Sequence, residues 1–231
     1  MQNQILCPKC HSLDVRKNGT AANHKQRYQC RLCRRQFITN YSYRGCRPEF
    51  RELIVPMGLN GSGIRDTSRV LRISPNTVLK TLRQAADAIP EPPPPKRAKR
   101  LELDEFWSFT ANKKDQRWTW YAWNPDTRTV VAYVNARRTD VACRALVTQI
   151  GSLTRTQVHT DEWKSYAKCV PPQRHRVGKR GTQRIERQNL NFRTHIKRLQ
   201  RRTICFSKTV RMHDAMIKLY IHHCCSGHHL L

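Results

Sequence analysis

Cys7-Pro8-Lys9-Cys10 and Cys30-Arg31-Leu32-Cys33 are two matched CxxC pairs with 19 residues between them. A pair at this spacing grips one side of a tetrahedral Zn²⁺, and the second pair closes the coordination sphere. Four thiolates leave no open position, so Cys7, Cys10, Cys30 and Cys33 are expected to hold one structural Zn²⁺. A redox dithiol would account for one pair but not for a matched second one. His11 and His24 are rival ligands that four thiols make unnecessary. With Asn18-Gly19 as a turn, residues 1–45 read as a zinc ribbon of two knuckles and short strands. Arg27, Arg31, Arg34 and Arg35, with Lys25, surround the knuckles and are candidates for phosphate contact. A solvated basic face is the alternative.

The charge points the same way. The 231 residues carry 44 Lys and Arg against 16 Asp and Glu, a formal net charge of +28. Double-stranded DNA offers one phosphate per roughly 1.7 Å of axis and is the natural counterpart. A membrane surface is the rival. No apolar run is long enough to span a bilayer, and Met1-Gln2-Asn3-Gln4-Ile5 is not a signal peptide. The expectation is a cytoplasmic protein without membrane contact. Ten cysteines in that compartment fit metal binding or free thiols better than disulfides. Cys46, Cys143, Cys169 and Cys205 read as buried thiols. His222-His223, Cys224-Cys225 and His228-His229 lack paired spacing and read as a disordered or partly packed tail.

Residues 46–90 read as helical. Pro48 to Met57 places Phe50, Leu53 and Ile54 on one stripe. Asn60-Gly61-Ser62-Gly63 is a loop, and Ile64 to Leu71 a short helix with Val70 and Leu71 inward. Ser74 is a good N-cap and Pro75 a good first-turn residue for a helix from Asn76 to Ala88. Two helices joined by a tight turn have the shape of a helix-turn-helix. Val78, Leu79 and Leu82 would face the core, leaving Asn76, Thr77, Lys80, Thr81 and Arg83 for the major groove. A plain helical hairpin is the alternative. Pro92 to Pro95 and the following basic run make 91–100 a stiff, extended linker.

Residues 101–225 read as strands at Leu101–Thr110, Arg117–Asn124 and Thr129–Asn135, then a helix, Asp140–Ile150, with Val141, Leu146, Val147 and Ile150 apolar. Thr156–Thr160 is a fourth strand and Gln173–Val177 a fifth. Thr182 to Gln200 reads as one long helix burying Ile185, Phe192, Ile196 and Leu199, with Glu186, Asn189, Arg193 and Lys197 on the adjacent stripe. Ser207 would cap a last helix, Lys208–His223, with Val210, Ile217, Tyr220 and Ile221 apolar, and 226–231 is a tail. This order suggests an α/β domain of ribonuclease-H-like fold, a mixed sheet with flanking helices.

Three carboxylates stand on three of these elements. Asp104, Asp161 and Glu186 can hold two divalent ions, Mg²⁺ or Mn²⁺, because hard cations take oxygen ligands. A two-metal site activates the attacking oxygen and stabilises the leaving one in phosphoryl transfer. The alternative is that these three acids pair with some of the 44 basic residues. Glu105 points to the opposite face of the strand from Asp104 and reads as structural or solvent-facing. Trp107, Trp118, Trp120, Trp123 and Trp163 read as core, and His213 as a satisfied helical histidine.

The segments LDEFW, RWTWYAW followed by TVVAYV, TDEWKSY, and GTQRIERQNLNFRTHIKRL followed by FSKTVRMHD resemble the bacterial insertion-sequence-1 family of transposases. With the two N-terminal modules, the resemblance covers nearly the whole chain. It implies a DDE transposase in which Asp104, Asp161 and Glu186 hold the metals, 24 residues separating the last two. Arg193, seven after the glutamate, falls where related enzymes keep a basic residue and would grip the transposon-end phosphate. Asp214 falls in the family's His-Asp element as a candidate fourth acid, and Lys197 is a candidate DNA contact. The implied partners are terminal inverted repeats, target DNA and a second or further copy of the chain in the synaptic complex, in the bacterial nucleoid. A DNA-binding regulator with an inactive last domain and a metal-dependent DNA nuclease are the competing readings.

Overall fold

Short antiparallel strands cannot by themselves bury much apolar surface, and the N-terminal unit shows how little there is. The computed structural model describes residues 4–90, 98–178 and 181–225. It divides the chain into a unit at Met1–Phe50 and a unit at Arg51–Leu231. In the first, β1 (Val15–Thr20), β2 (Gln26–Cys30) and β3 (Gln36–Ile38) form a meander in that order. Its core is Cys7, Cys30 and Phe37, with Tyr28 stacked on Phe37 at 5.9 Å. A core this small needs a metal to stay folded. The chain does not reverse at Asn18-Gly19. Gly19, at φ +68°, sits in an irregularity of β1, and the turn is closed by Ala21 and Lys25.

After the meander, sequence periodicity places the helices but not all their inward residues. The stretch read as one helix from Pro48 to Met57 is two, α1 (Pro48–Glu52) and α2 (Ile54–Leu59). Pro56 has no N–H to return to Glu52, so the chain breaks at Leu53, which is exposed. α3 (Ile64–Leu71) buries Thr67 and Leu71, one turn apart, and leaves Val70 66% exposed, against the expectation. Arg72 closes the turn in the left-handed conformation, φ 53°. α4 (Pro75–Ala88) begins as read, with Ser74 Oγ accepting from the Asn76 N–H at 3.2 Å. It buries Val78, Leu82 and Ala86, whereas Leu79 is half-buried.

The larger sheet has the strand order β6-β5-β4-β7-β8. Strands β4 (Arg100–Thr110), β5 (Asn112–Asn124) and β6 (Thr129–Ala136) are antiparallel; β7 (Gln157–Thr160) and β8 (His175–Val177) run parallel to β4. α5 (Asp140–Ile150) and α6 (Lys164–Cys169) cover one face, where Leu101 and Leu103 of β4 meet Leu146 and Tyr166. α7 (Gln183–His195) and α8 (Val210–Cys225) cover the other, through Phe106, Tyr121, Phe192 and Tyr220. α8 also receives α2 and α4. A Cβ on Gly58 would stand 3.3 Å from Met216, which explains a glycine at that approach. The pairs Arg211–Asp87 (2.8 Å) and Lys197–Asp66 (3.5 Å) join the helical segment to the sheet domain.

Several local expectations are corrected. The long helix ends at His195; Ile196 is extended, and a 3-10 turn follows at Lys197–Leu199, although Ile196 and Leu199 are buried as expected. The last helix is capped by Thr209, not Ser207, whose hydroxyl is taken by Arg198 and His213. Val141 and Val210 face outward. Of the tryptophans, Trp120 and Trp123 are buried while Trp107, Trp118 and Trp163 are half-buried. Of the four lone cysteines, Cys143 is buried, Cys169 and Cys205 half-buried and Cys46 exposed. The proline run with Lys96 and Arg97, and the tail 226–231 with His228 and His229, lie outside the described residues.

Candidate active site and zinc cluster

Strand alternation sorts the acids of β4. Glu102 and Asp104 face α7; Leu103 and Glu105 face α5 and α6. β4 pairs with β7 in parallel up to Glu102 opposite His159, and Asp161, the first residue after β7, lies close enough for its charge to act on Asp104. Asp161 Oδ1 accepts from the Trp163 N–H at 3.0 Å, a turn that leads into α6. Asp104 accepts from its neighbour's N–H (Glu105, 2.8 Å) and from Asn189 Nδ2 (2.6 Å). Burial raises the Asp104 carboxyl to about 7, with the nearby charges of Glu105 and Asp161 adding to the effect and the two hydrogen bonds opposing it.

Glu186 lies in the first turn of α7, exposed, one turn before Asn189 and on the same side of the helix. The start of that helix is gripped by Glu102. This fully buried carboxylate accepts from the Ile185 N–H at 2.9 Å and from Arg100 at 3.0 Å, and Arg100 also donates to the Gly181 carbonyl. Asp104, Asp161 and Glu186 make no ion pair among the described residues. The ion-paired acids of the sheet domain are their neighbours Glu102 and Glu105, together with Asp140 and Asp214. The three carboxylates are not drawn into one cluster: among the described residues, only the four cysteines bring three or more potential ligand atoms within 4.8 Å of one another.

Glu105 is structural and not solvent-facing. Its carboxylate accepts from Arg138 Nε at 2.9 Å and from the Tyr166 hydroxyl. Asp214 is not brought to the site. Both its oxygens are bonded by Arg117, which pairs across the strands with Ser108, four positions along β4 from Asp104. Beside it, His213 is fully buried between Ser108 (2.9 Å) and Ser207 (3.2 Å), and burial pushes its pKa down to about 3. Arg193 donates to the Leu199 carbonyl at 3.2 Å, two turns along α7 from Glu186. The acids Glu102 and Glu105 were visible in the sequence only as neighbours of Asp104. Asn189 was visible only as a stripe member, and nothing local marks any of them as partners of distant groups.

Among the candidate DNA contacts, Asn76 and Lys80 are exposed on α4, while Thr77, Thr81 and Arg83 are half-buried, Arg83 donating to the Leu79 carbonyl. Lys197 is engaged with Asp66. In the N-terminal unit, Arg34 and Arg35 are exposed, Arg31 faces Asp14 at 3.7 Å, and half-buried Arg27 donates to the Thr20 carbonyl.

The four thiols fit a structural Zn²⁺. Cys7–Cys33 and Cys10–Cys30 Sγ atoms stand 3.5 Å apart and none is in a disulfide. Zn–S bonds of about 2.3 Å give a tetrahedral edge of about 3.8 Å, close to this spacing. The N–H groups of Lys9 and Cys33 donate to Cys7 and Cys30 sulfur, the bonding of a knuckle turn around a thiolate. His11 and His24 are exposed and outside the cluster.

Comparison with known proteins agrees with this layout. Residues 100–225 match the family model described as IS1 transposase, residues 41–86 the InsA C-terminal domain and residues 3–34 the InsA N-terminal domain. Over 120 residues, 52% of this chain, it is 48% identical to the insertion element iso-IS1n protein InsB of Shigella dysenteriae, of which the match covers 92%. Identity is 40% to the insertion element IS1 protein InsB of Shigella flexneri, again over 92% of that protein. It is 39% to the insertion element IS1 1 protein InsB of Escherichia coli K12, over 72% of it. A zinc ribbon and a helix-turn-helix precede the matched catalytic region in family order, and the chain belongs to the IS1 transposase family.

Proposed function

We propose that this chain is a DNA transposase that binds the terminal inverted repeats of an insertion sequence, cuts the strand at each end and joins the released 3′-hydroxyls to target DNA. In this reading, residues 1–45 and 46–90 are DNA-binding modules, 91–100 is a linker, 101–225 is a ribonuclease-H-like catalytic domain and 226–231 is a tail. The observation that carries it is the proximity of Asp104 on β4 to Asp161, the first residue after the adjacent parallel strand β7, neither carboxylate neutralised by any described base in a chain of net charge +28. A half-buried carboxyl held near 7 beside two other acids is a site that a divalent cation would stabilise.

Asp104, Asp161 and Glu186 are the residues that would hold two Mg²⁺ or Mn²⁺ ions, and those ions would supply the positive charge that favours an ionised attacking oxygen and stabilises the leaving one. The chain's own residues do the rest. The Glu105 N–H and Asn189 orient Asp104, and the Trp163 N–H orients Asp161. Glu186 presents its carboxylate at the surface of the first turn of α7. Arg193 supplies a cation two turns further on for the end phosphate. Asn76 and Lys80 offer the exposed polar edge of α4 to the major groove. Synapsis of two ends calls for at least two copies of the chain.

The test is a labelled duplex carrying candidate element ends, incubated with Mg²⁺, supercoiled target and either the wild type or Glu186→Gln. Strand-transfer products from the wild type alone support the proposal. Cleavage without joining points instead to a nuclease, and end binding with neither reaction to a regulator.

A further inference from the structure

Of the groups touching Asp104, Asn189 is the one that also belongs to the helix bearing Glu186. Its Nδ2 donates to Asp104 Oδ2 at 2.6 Å, and its Oδ1 accepts from the Tyr121 hydroxyl at 2.8 Å. The direction of the amide follows from the chemistry of its neighbours. When Asp104 is ionised, as it is when it holds a cation, its carboxylate can only accept, so the NH₂ end faces Asp104 and the oxygen end faces Tyr121. Tyr121 is fully buried in β5, opposite Asp104 in the strand register, and its hydroxyl also lies 3.0 Å from the Ile185 carbonyl. With the amide in this orientation the single phenol proton is shared between the Asn189 oxygen and the Ile185 carbonyl. A flipped Asn189 would set its oxygen against the ionised carboxylate, an acceptor facing an acceptor.

We propose that Asn189 is a positioning residue for Asp104, held at its other end by Tyr121, and that this chain of hydrogen bonds fixes the carboxylate of β4 relative to the helix that carries Glu186. The inference rests on the reading of Asp104 as a metal ligand. With one donor on each Asp104 oxygen, from Glu105 N–H and Asn189, one lone pair remains on each oxygen for a cation. A second tether reinforces the register. Glu102, two residues earlier on the same face, accepts from Ile185 N–H. The two inward acids of β4 thus hold α7 at Ile185 and Asn189, one turn apart, and Glu186 lies between these two points. Glu102 holds backbone; only Asn189 touches the carboxylate that would bind metal, so the two roles separate by experiment.

The test is direct Mn²⁺ binding to the full-length, zinc-loaded chain, followed by electron paramagnetic resonance of the free ion, with thermal melts alongside. Asn189→Ala is expected to raise the Mn²⁺ dissociation constant by about tenfold or more, the usual cost of removing a group that orients a metal ligand. Tyr121→Phe keeps the ring but frees the amide, and is expected to give a smaller rise in the same direction. Both should keep a cooperative melt, because Tyr121 retains the Ile185 carbonyl in the first and its packing in the second. Asp104→Asn provides the reference. If it loses Mn²⁺ binding while Asn189→Ala binds as the wild type does, the positioning role is overturned. If Asp104→Asn itself binds as the wild type does, the metal-ligand reading fails and takes this inference with it.

Discussion

The guanidinium of Arg138 lies 3.6 Å over the ring of Trp163. It also meets Trp118 at 4.7 Å and donates to Glu105 at 2.9 Å. The backbone N–H of the same Trp163 holds Asp161. One cation thus joins the buried acid behind Asp104 to the turn that carries the second candidate ligand. Its charge stays beside β4 without reaching the face on which Asp104 lies.

Arg138→Ala would leave Glu105, whose side chain is 1% exposed, with Tyr166 as its remaining side-chain partner. Removing one member of a buried ion pair costs about 3–5 kcal/mol. We expect urea unfolding of Arg138→Ala to show a loss of that order, and Glu105→Gln in the same background to recover part of it. A loss under about 1 kcal/mol would mean that Glu105 finds another partner or a proton.

Asp214 separates structure from chemistry. Its carboxylate is occupied by Arg117, which pairs with Ser108 four positions along β4 from Asp104, so Asp214→Asn should lower stability by about 1–3 kcal/mol. Cleavage per folded molecule should stay within a few-fold of wild type, whereas Asp161→Asn should abolish it. End-cleavage assays on protein corrected for folded fraction distinguish the two. Loss of cleavage in Asp214→Asn at wild-type stability would return Asp214 to the site.

The Asp104 carboxyl yields a pH signature. Its folded-state pKa is about 7, raised by burial from an ordinary carboxylate value near 4. Between those values the folded state binds more protons than the unfolded one, so this group makes the metal-free protein less stable as pH rises from about 4 to 7. The buried His213 has the opposite sign, its lowered pKa costing stability as pH falls below about 6.5. The difference between wild type and Asp104→Asn isolates the first effect. We expect Asp104→Asn to gain on wild type by a few kcal/mol between about pH 5 and 8, measured by denaturant unfolding without divalent ions, and Mg²⁺ to reduce that gain. A pH-independent difference would contradict it.

Local chemistry made the local structure legible. The CxxC spacing brings four thiols together because each pair spans one turn, and Ser74-Pro75 starts α4 because capping involves residues two apart. Alternation along β4 and the buried stripe Ile185, Phe192, Ile196 and Leu199 followed from periodicity alone. The same rules placed Val70 and Val141 inward, where the neighbouring elements leave them exposed, since periodicity names a face but not what covers it.

What each acid does was decided elsewhere. Glu102, Asp104 and Glu105 sit within four positions of one strand and differ little as residues. Their partners come from Ile185, Asn189 and Arg138, which stand 83, 85 and 33 residues away. Asp214 likewise resembles a fourth acid in the sequence, until Arg117, 97 residues distant, is folded against it. Most of the elements, the four clustered thiols and the excess of positive charge were legible in residue order alone. Which carboxylates that charge neutralises was set by folding, because pairing requires a partner within a few ångströms and the chain brings those partners from far along its length.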